Sequence, residues 1–226
     1  MEEIIDMLSE FVTENKKSQI DRVLRNRTRH VTVVLEDIYQ SHNASAVVRT
    51  CDCFGIQDLH IIENENRYNI NPKVVMGATK WVDMFNYCIP TVNNTISCIT
   101  NLKQKGYKVV VTTPDKNSIP IDELNLNEKV ALVFGTEQTG VSKDVLDMAD
   151  EKVSIPMYGF TESLNISVSA AICLSTITKN LQKSTIQWKL SKEEHSQLKL
   201  EWYKKNVKRA ESIIENYLIR KKNEIL

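Results

Sequence analysis

Residues Ile155–Ala171 read IPMYGFTESLNISVSAA, and Leu132–Ser142 read LVFGTEQTGVS. Each sets a short apolar run directly before a loop of Gly, Ser, Thr, Asn and Glu, and each loop runs into a helical pattern. In α/β sheets, ligands gather at such junctions, at the carboxyl ends of the strands.

The chain outward from these two stretches keeps the same alternation. Glu2–Asn26 has helical periodicity, and the β-branched run Val31–Leu35 predicts a buried strand. Helix is predicted over Ala44–Cys53, strand over Leu59–Ile62, helix over Thr95–Lys105 closed by Gly106, and strand over Lys108–Thr113. Strand follows at Ala131–Phe134, helix at Ser142–Ala149, strand at Val153–Ile155 and helix at Asn165–Leu181. This order predicts an α/β domain with a mostly parallel sheet covered by helices. Beyond Lys183 the pattern turns polar. Ser191 and Glu194 form a candidate capping box, and apolar residues recur at helical spacing, which predicts one or two terminal helices and not a second domain. The organisation read from the sequence is an N-terminal helical extension over 1–30, a sheet domain over 31–183 and a C-terminal helical extension over 184–226.

At 226 residues, 42% hydrophobic and 26% charged, the chain can bury a sizeable core. No run approaches the roughly 18 apolar residues of a membrane span. Met1–Asn15 opens acidic, unlike a secretory signal, so the cytoplasm is the expected location and no membrane partner is expected. The five cysteines, Cys51, Cys53, Cys88, Cys98 and Cys173, lack paired CxxC spacing, so neither a metal site nor a disulfide framework is expected. Reduced, mostly buried thiols are the plain reading.

Formal net charge is zero, but it is unevenly spread. Lys199–Leu226 holds 8 basic and 4 acidic residues, whereas Val31–Leu198 holds 15 and 19. Near the N-terminus, Glu2, Glu3, Asp6, Glu10 and Glu14 precede Lys16, Lys17, Arg22, Arg25, Arg27 and Arg29. Clustered Lys and Arg neutralise nucleic-acid phosphates and release counterions. Solvated helix faces would give the same counts.

Three familiar chemistries fail on spacing. No GxGxxG follows the first strand. Gly135 and Gly140 are spaced as in a phosphate loop, but Val141–Ser142 stands where Lys–Ser/Thr is required. Ser163 lies in TESLN, not in the GxSxG elbow of a hydrolase, and His30, His42, His60 and His195 offer no local base.

A third cluster, SHNASAVVRT over Ser41–Thr50, follows the first strand. Asn43 is a good N-cap there, expected to begin the helix. Arg49 lies six residues on, about 120° round the helix, among Ala and Val. An Arg in that setting wants an anion, either a ligand or an acid such as Glu137 or Asp52.

Three motifs in order, HNASAVVRTCDCFGI, LVFGTEQTGVS and IPMYGFTESLNISVSAA, resemble the SPOUT superfamily of RNA methyltransferases. More closely, 31–183 resembles the TrmH type, the tRNA guanosine 2′-O-methyltransferases that modify a D-loop guanosine. GATKWV over Gly77–Val82 resembles that family's linker between its two halves. The resemblance implies a deep C-terminal trefoil knot, which no rule of chain topology would propose. It also implies S-adenosyl-L-methionine as methyl donor, and a homodimer whose active site draws on both subunits.

Carried over by motif, Thr113, Gly135, Ile155 and Leu164 would line the cofactor pocket, and Asn43, Arg49, Glu137, Ser163 and Asn165 match the catalytic set. Within that set the resemblance makes Arg49 the general base once it has met the substrate phosphate, although a guanidinium more easily holds that phosphate and stabilises the developing alkoxide. It has Glu137 brace Arg49 or the cofactor, and has Ser163 and Asn165 hold the loop beside the methyl group. Ser163 and Asn165 could equally cap the helix starting near Ile166. The basic termini then acquire tRNA as partner, with Arg22, Arg25, Arg27, Arg29, Lys204, Lys205, Lys208 and Arg209 as candidate phosphate contacts. Ribose methylation of rRNA is the alternative within the same chemistry, and a non-catalytic RNA-binding protein of this fold the alternative outside it.

Overall fold

The computed structural model describes residues 1–69, 71–115, 117–136 and 138–224. The chain forms two compact units, Thr28–Trp188 and a second made of Met1–Arg27 with Lys189–Leu226.

The larger unit is built on a parallel sheet. Its strands are β1 Val31–Glu36, β2 Asp58–Ile62, β3 Asp83–Tyr87, β4 Tyr107–Thr112, β5 Ile119–Pro120, β6 Lys129–Phe134 and β7 Glu151–Ser154, in the order β3-β2-β1-β6-β4-β7-β5. Every pairing is parallel, with Val33 opposite Leu132 and Val110 opposite Leu132 on the other side of β6. The central strands are mostly apolar because both faces are covered. Val31, Val33, Leu35, Val130, Leu132 and Phe134 turn to one core, and Val34, Val109, Val111, Ala131 and Val133 to the other. This is the period-two alternation of a strand with no face left to solvent. Helices α3 Ser41–Cys53 and α7 Ile166–Lys183 supply the first core through Val47, Val48, Cys51, Ala170, Cys173 and Leu174. The second core takes Cys98, Ile99 and Leu102 from α5 Asn94–Gln104 and Val145 from α6 Lys143–Met148. A short α4, Pro72–Val75, precedes left-handed Met76 and Gly77, which turn the chain into the GATKWV stretch.

The smaller unit holds α1 Glu2–Ser9, α2 Glu14–Leu24, α8 Lys192–Asn206 and α9 Ala210–Glu224. The two terminal extensions are therefore gathered in one helical unit with a buried core of Ile5, Leu8, Ile20, Leu24, Leu198, Trp202 and Tyr203. The single helix expected over Glu2–Asn26 is broken, because the Thr13 hydroxyl accepts the Lys16 amide and starts a second helix. Ser191 and Glu194 form a complete capping box at the start of α8.

Among the described residues, no helix is long and apolar enough to cross a membrane, and no group of three or more His, Cys, Asp or Glu residues could hold a metal ion. All five cysteines are free, Cys51, Cys98 and Cys173 buried and Cys53 and Cys88 exposed.

One buried group couples this fold to pH. His60 on β2 stacks on Phe85 with ring centroids 4.9 Å apart, and its Nδ1 meets no hydrogen-bond partner among the described residues. Burial, helped by Lys105, pushes its pKa from 6.5 down to about 4. The unfolded chain then takes up the proton first, so stability falls as pH drops from 6.5 towards 4. Urea titrations at pH 7 and pH 5 should show about 2 kcal/mol of this loss in the native protein, absent from a His60→Phe variant.

Candidate active site

The carboxyl ends of β4, β6 and β7 open into a cavity of about 520 Å³. Three loops shape it. Thr113 and Pro114 come from the end of β4, Gly135 and Thr136 with Gln138–Val141 from the loop after β6, and Ile155, Met157 and Glu162–Leu164 from the segment between β7 and α7. Thr113, Gly135, Ile155 and Leu164, the four residues expected to line the cofactor pocket, all lie in its wall, as does Ser163. The sequence reading left out Phe134, Leu146, Met157 and Cys173, which make much of the apolar surface. Phe134 and Met157 lie within the second and third motifs as apolar neighbours of their polar residues, and Leu146 and Cys173 reach the wall from the middle of α6 and α7. Burial pushes the Cys173 thiol up to about 12, so it acts as wall and not as nucleophile.

The loop after β6 is tied to itself. The Thr136 and Gly140 amides and carbonyls exchange hydrogen bonds of 2.9 and 3.0 Å, and the Thr136 and Thr139 hydroxyls meet at 2.7 Å. Gly140 takes φ +70°, where a side chain would be strained. On the β4 side, the Thr113 amide donates to the Val153 carbonyl at 2.9 Å and its hydroxyl accepts from the Asp115 amide. Asp115 in turn holds Lys152 at 3.2 Å, and its pKa is lowered by the Asn117 amide first and then by that lysine.

The first and third motifs meet through two asparagines. Helix α3 begins at Ser41 with Gln40 as its cap, three residues earlier than expected, so Asn43 lies in the first turn. It is buried, not a cap, and its Oδ1 accepts from the Asn165 Nδ2 at 3.1 Å. Asn165 does cap α7, its Oδ1 accepting from the Ser167 amide at 2.9 Å and the Ser167 hydroxyl at 2.6 Å. Ser163 plays no part in that cap and sits exposed at the cavity.

Arg49 stands apart. It is exposed on α3, does not line the cavity, and makes no hydrogen bond or ion pair with a described residue, Asp52 included. Asn43 is buried and Arg49 exposed, as their 120° separation requires. Glu137 lies outside the described residues.

The basic residues divide. Arg22, Arg25, Lys205, Lys208 and Arg209 are exposed in the helical unit, and Lys204 faces Glu201 and Glu211 at 3.7 and 3.3 Å. Arg27 and Arg29 leave the expected phosphate-binding set. Arg27 is fully buried with its guanidinium 5.2 Å from the Trp202 ring centre, and Arg29 is committed to Asp58 at 3.0 Å and Asp83 at 2.8 Å. A buried guanidinium, or one already held between two carboxylates, is poorly placed to meet a phosphate arriving from solvent.

The chain resembles known proteins over nearly its whole length. The model of the SpoU rRNA Methylase family matches residues 30–175. A Borreliella burgdorferi protein named tRNA (guanosine(18)-2′-O)-methyltransferase is 44% identical over 95% of each chain. One of the same name from Aquifex aeolicus is 32% identical over 87% of this chain and 92% of its own. A crystal structure of the A. aeolicus TrmH/SpoU tRNA modifying enzyme superposes with a TM-score of 0.75 and 30% identity, covering 87% of this chain and 98% of that one.

Proposed function

The chain belongs to the SpoU rRNA methylase family, and on that premise we propose the reaction its cavity supports best. It is a tRNA (guanosine-2′-O-)-methyltransferase that moves a methyl group from S-adenosylmethionine to the ribose 2′-hydroxyl of a D-loop guanosine. The observation that carries this reading is the meeting of three motifs. The second and third build one cavity wall, and the first is bonded to the third through Asn43 and Asn165.

The cavity fits such a cofactor on its own chemistry. Its volume is in the usual range for a small-molecule site, and apolar Phe134, Ile155 and Leu164 alternate with backbone polar groups at Gly135 and Thr113. Bound there, S-adenosylmethionine supplies an electrophilic methyl group. The residues do the rest. Ile155 and Leu164 would hold the cofactor by apolar contact, the Asn43–Asn165 pair fixes the third loop, and Ser163 would orient groups at the cavity rim. Arg49 holds the phosphate next to the acceptor ribose and stabilises the alkoxide that develops on O2′ as its proton passes to solvent water and the methyl group leaves the sulfonium, which becomes a neutral thioether. A guanidinium stays protonated in proteins, which favours that role over proton acceptance. Glu137 is assigned to bracing Arg49 or polar groups of the cofactor.

Because Arg49 lies outside the cavity wall of its own chain, the reading includes a homodimer in which Arg49 of one subunit serves the cavity of the other. Tyr158 and Phe160, almost fully exposed beside the cavity loop, and exposed Val168 support a covering subunit. The sheet order, in which β6 and β7 enter on either side of β4, supports the trefoil knot.

The test is direct. Purified protein is incubated with labelled S-adenosylmethionine and unmodified tRNA transcript, and the methylated ribose is located by mass spectrometry. A 2′-O-methylguanosine in the D-loop, absent with Arg49→Ala, is expected. Methyl transfer only to ribosomal RNA would replace tRNA by rRNA, and RNA binding without turnover would favour a non-catalytic protein.

The exposed cations Arg22, Arg25, Lys205 and Lys208 are assigned to tRNA phosphates. Reversing them singly to Glu should weaken tRNA binding and lower the slope of log K against log salt by about 0.7–0.9 for each phosphate no longer neutralised. Cofactor affinity should not change. Unaltered salt dependence would remove the residue from the interface.

A further inference from the structure

Glu36 ends β1 and is 2% exposed, a carboxylate placed where an apolar strand reaches the ligand-binding edge of the sheet. It does not line the cavity, and no motif marks it. Leu35 is paired with Phe134, so Glu36 lies level with the point where β6 gives way to the Gly135 loop. Three donors converge on it. The Thr95 hydroxyl reaches Oε1 at 2.6 Å, the Ser142 hydroxyl reaches Oε1 at 2.7 Å, and the Ser142 amide reaches Oε2 at 2.7 Å.

Each donor belongs to something else. Ser142 closes the loop that begins at Gly135 and caps α6, its hydroxyl also accepting from the Val145 amide. Thr95 lies in the first turn of α5 and accepts from Asn64 Nδ2 at 2.9 Å, which ties the end of β2 into the same network. The Thr136–Gly140 exchange closes the loop upstream, and Glu36 holds the end that runs into α6. Burying a carboxylate is costly unless its oxygens are satisfied, and here two of the three donors come from Ser142, at the end of the loop that walls the cavity, and the third from α5.

We propose that Glu36 is a positioning residue for cofactor binding, setting the Gly135–Val141 wall through Ser142 without touching the ligand. This rests on the S-adenosylmethionine reading of the cavity. Removing the carboxylate strands the Ser142 amide and hydroxyl and releases the wall. A glutamine can restore most of the anchor: its carbonyl oxygen accepts the Ser142 amide, and its amide donates to the two hydroxyl oxygens.

The experiment measures S-adenosylmethionine affinity by titration calorimetry, steady-state kcat and KM, tRNA affinity and thermal unfolding for the wild type, Glu36→Ala, Glu36→Gln and Ser142→Ala. Glu36→Ala is expected to bind the cofactor about tenfold or more weakly, raising its KM by the same factor, with KM for tRNA unchanged. Glu36→Gln should recover to within about threefold of the wild type. A purely structural role would lower the unfolding temperature and the active fraction without this selective rise in one KM. Should Glu36→Ala fail to fold, Ser142→Ala, which removes one hydroxyl and keeps the amide, carries the test with a loss of about threefold. A folded Glu36→Ala or Ser142→Ala with wild-type cofactor affinity overturns the proposal alone. A wild-type protein that takes up no S-adenosylmethionine overturns the functional reading and this inference with it.

Discussion

Arg49→Lys should turn over at least about a hundredfold more slowly than the wild type while binding S-adenosylmethionine normally. The charge survives this substitution, but the planar pair of donors that can clamp two phosphate oxygens does not. Cofactor affinity is spared because Arg49 takes no part in the cavity wall of its own chain. The same separation makes a second outcome available. If Arg49 serves the partner's cavity, co-expressing Arg49→Ala subunits with subunits blocked in the cofactor loop gives heterodimers with one doubly damaged site and one intact site. Those heterodimers should recover roughly half the activity of the native dimer. If the site is completed within one chain, no mixture of the two inactive variants regains activity. Near-normal turnover by Arg49→Lys would remove the phosphate clamp and the general base together.

Much of the sheet could be read in advance because its central strands are buried on both faces. VTVVLE, YKVVVT and KVALVF carry almost no polar interruption, so composition alone marks them. The edge strand β3 offers no such mark. In DMFNY, polar Asp83 and Asn86 interrupt the apolar residues, and the segment is a strand only because the neighbouring β2 provides backbone partners, Leu59 opposite Met84 among them. The two-residue β5 is likewise a product of its neighbour β7.

The site was legible to the degree that its chemistry is local. Loops rich in Gly, Ser and Thr announce themselves, and the four expected cofactor contacts do converge on one cavity. Contacts made across long stretches of chain do not. Asn43 reads as a helix cap until the fold brings Asn165 to it from 122 positions away. Arg27 counts as surface charge until it is found buried over Trp202. Glu36 falls just past the strand read over Val31–Leu35, and only its three donors reveal what it holds.

Gly135→Ala should reduce S-adenosylmethionine affinity by about a hundredfold or more, with the fold retained. A Cβ at this position would lie 2.1 Å from the Gly140 carbonyl oxygen, 2.2 Å from its carbon and 2.4 Å from the Val141 nitrogen. All three are backbone atoms, so no side-chain rotation can relieve the overlap and the loop itself must move. Gly135 does not need a left-handed conformation, and the demand is for space alone. The loop is closed on one side by the Thr136–Gly140 bonds and held on the other by Ser142 and Glu36, so the displacement passes into the cavity wall. Gly159 gives the internal comparison. A Cβ there would approach nothing among the described residues closer than the Thr161 nitrogen at 4.0 Å, an ordinary contact, so Gly159→Ala should stay within about threefold of native affinity. Calorimetric titration of both variants, with melting curves to establish that each is folded, separates a steric requirement at Gly135 from a general sensitivity of the two loops. Native affinity in Gly135→Ala would mean that the wall accommodates the shift and that the close approach of Gly135 to Gly140 has no part in holding the cofactor.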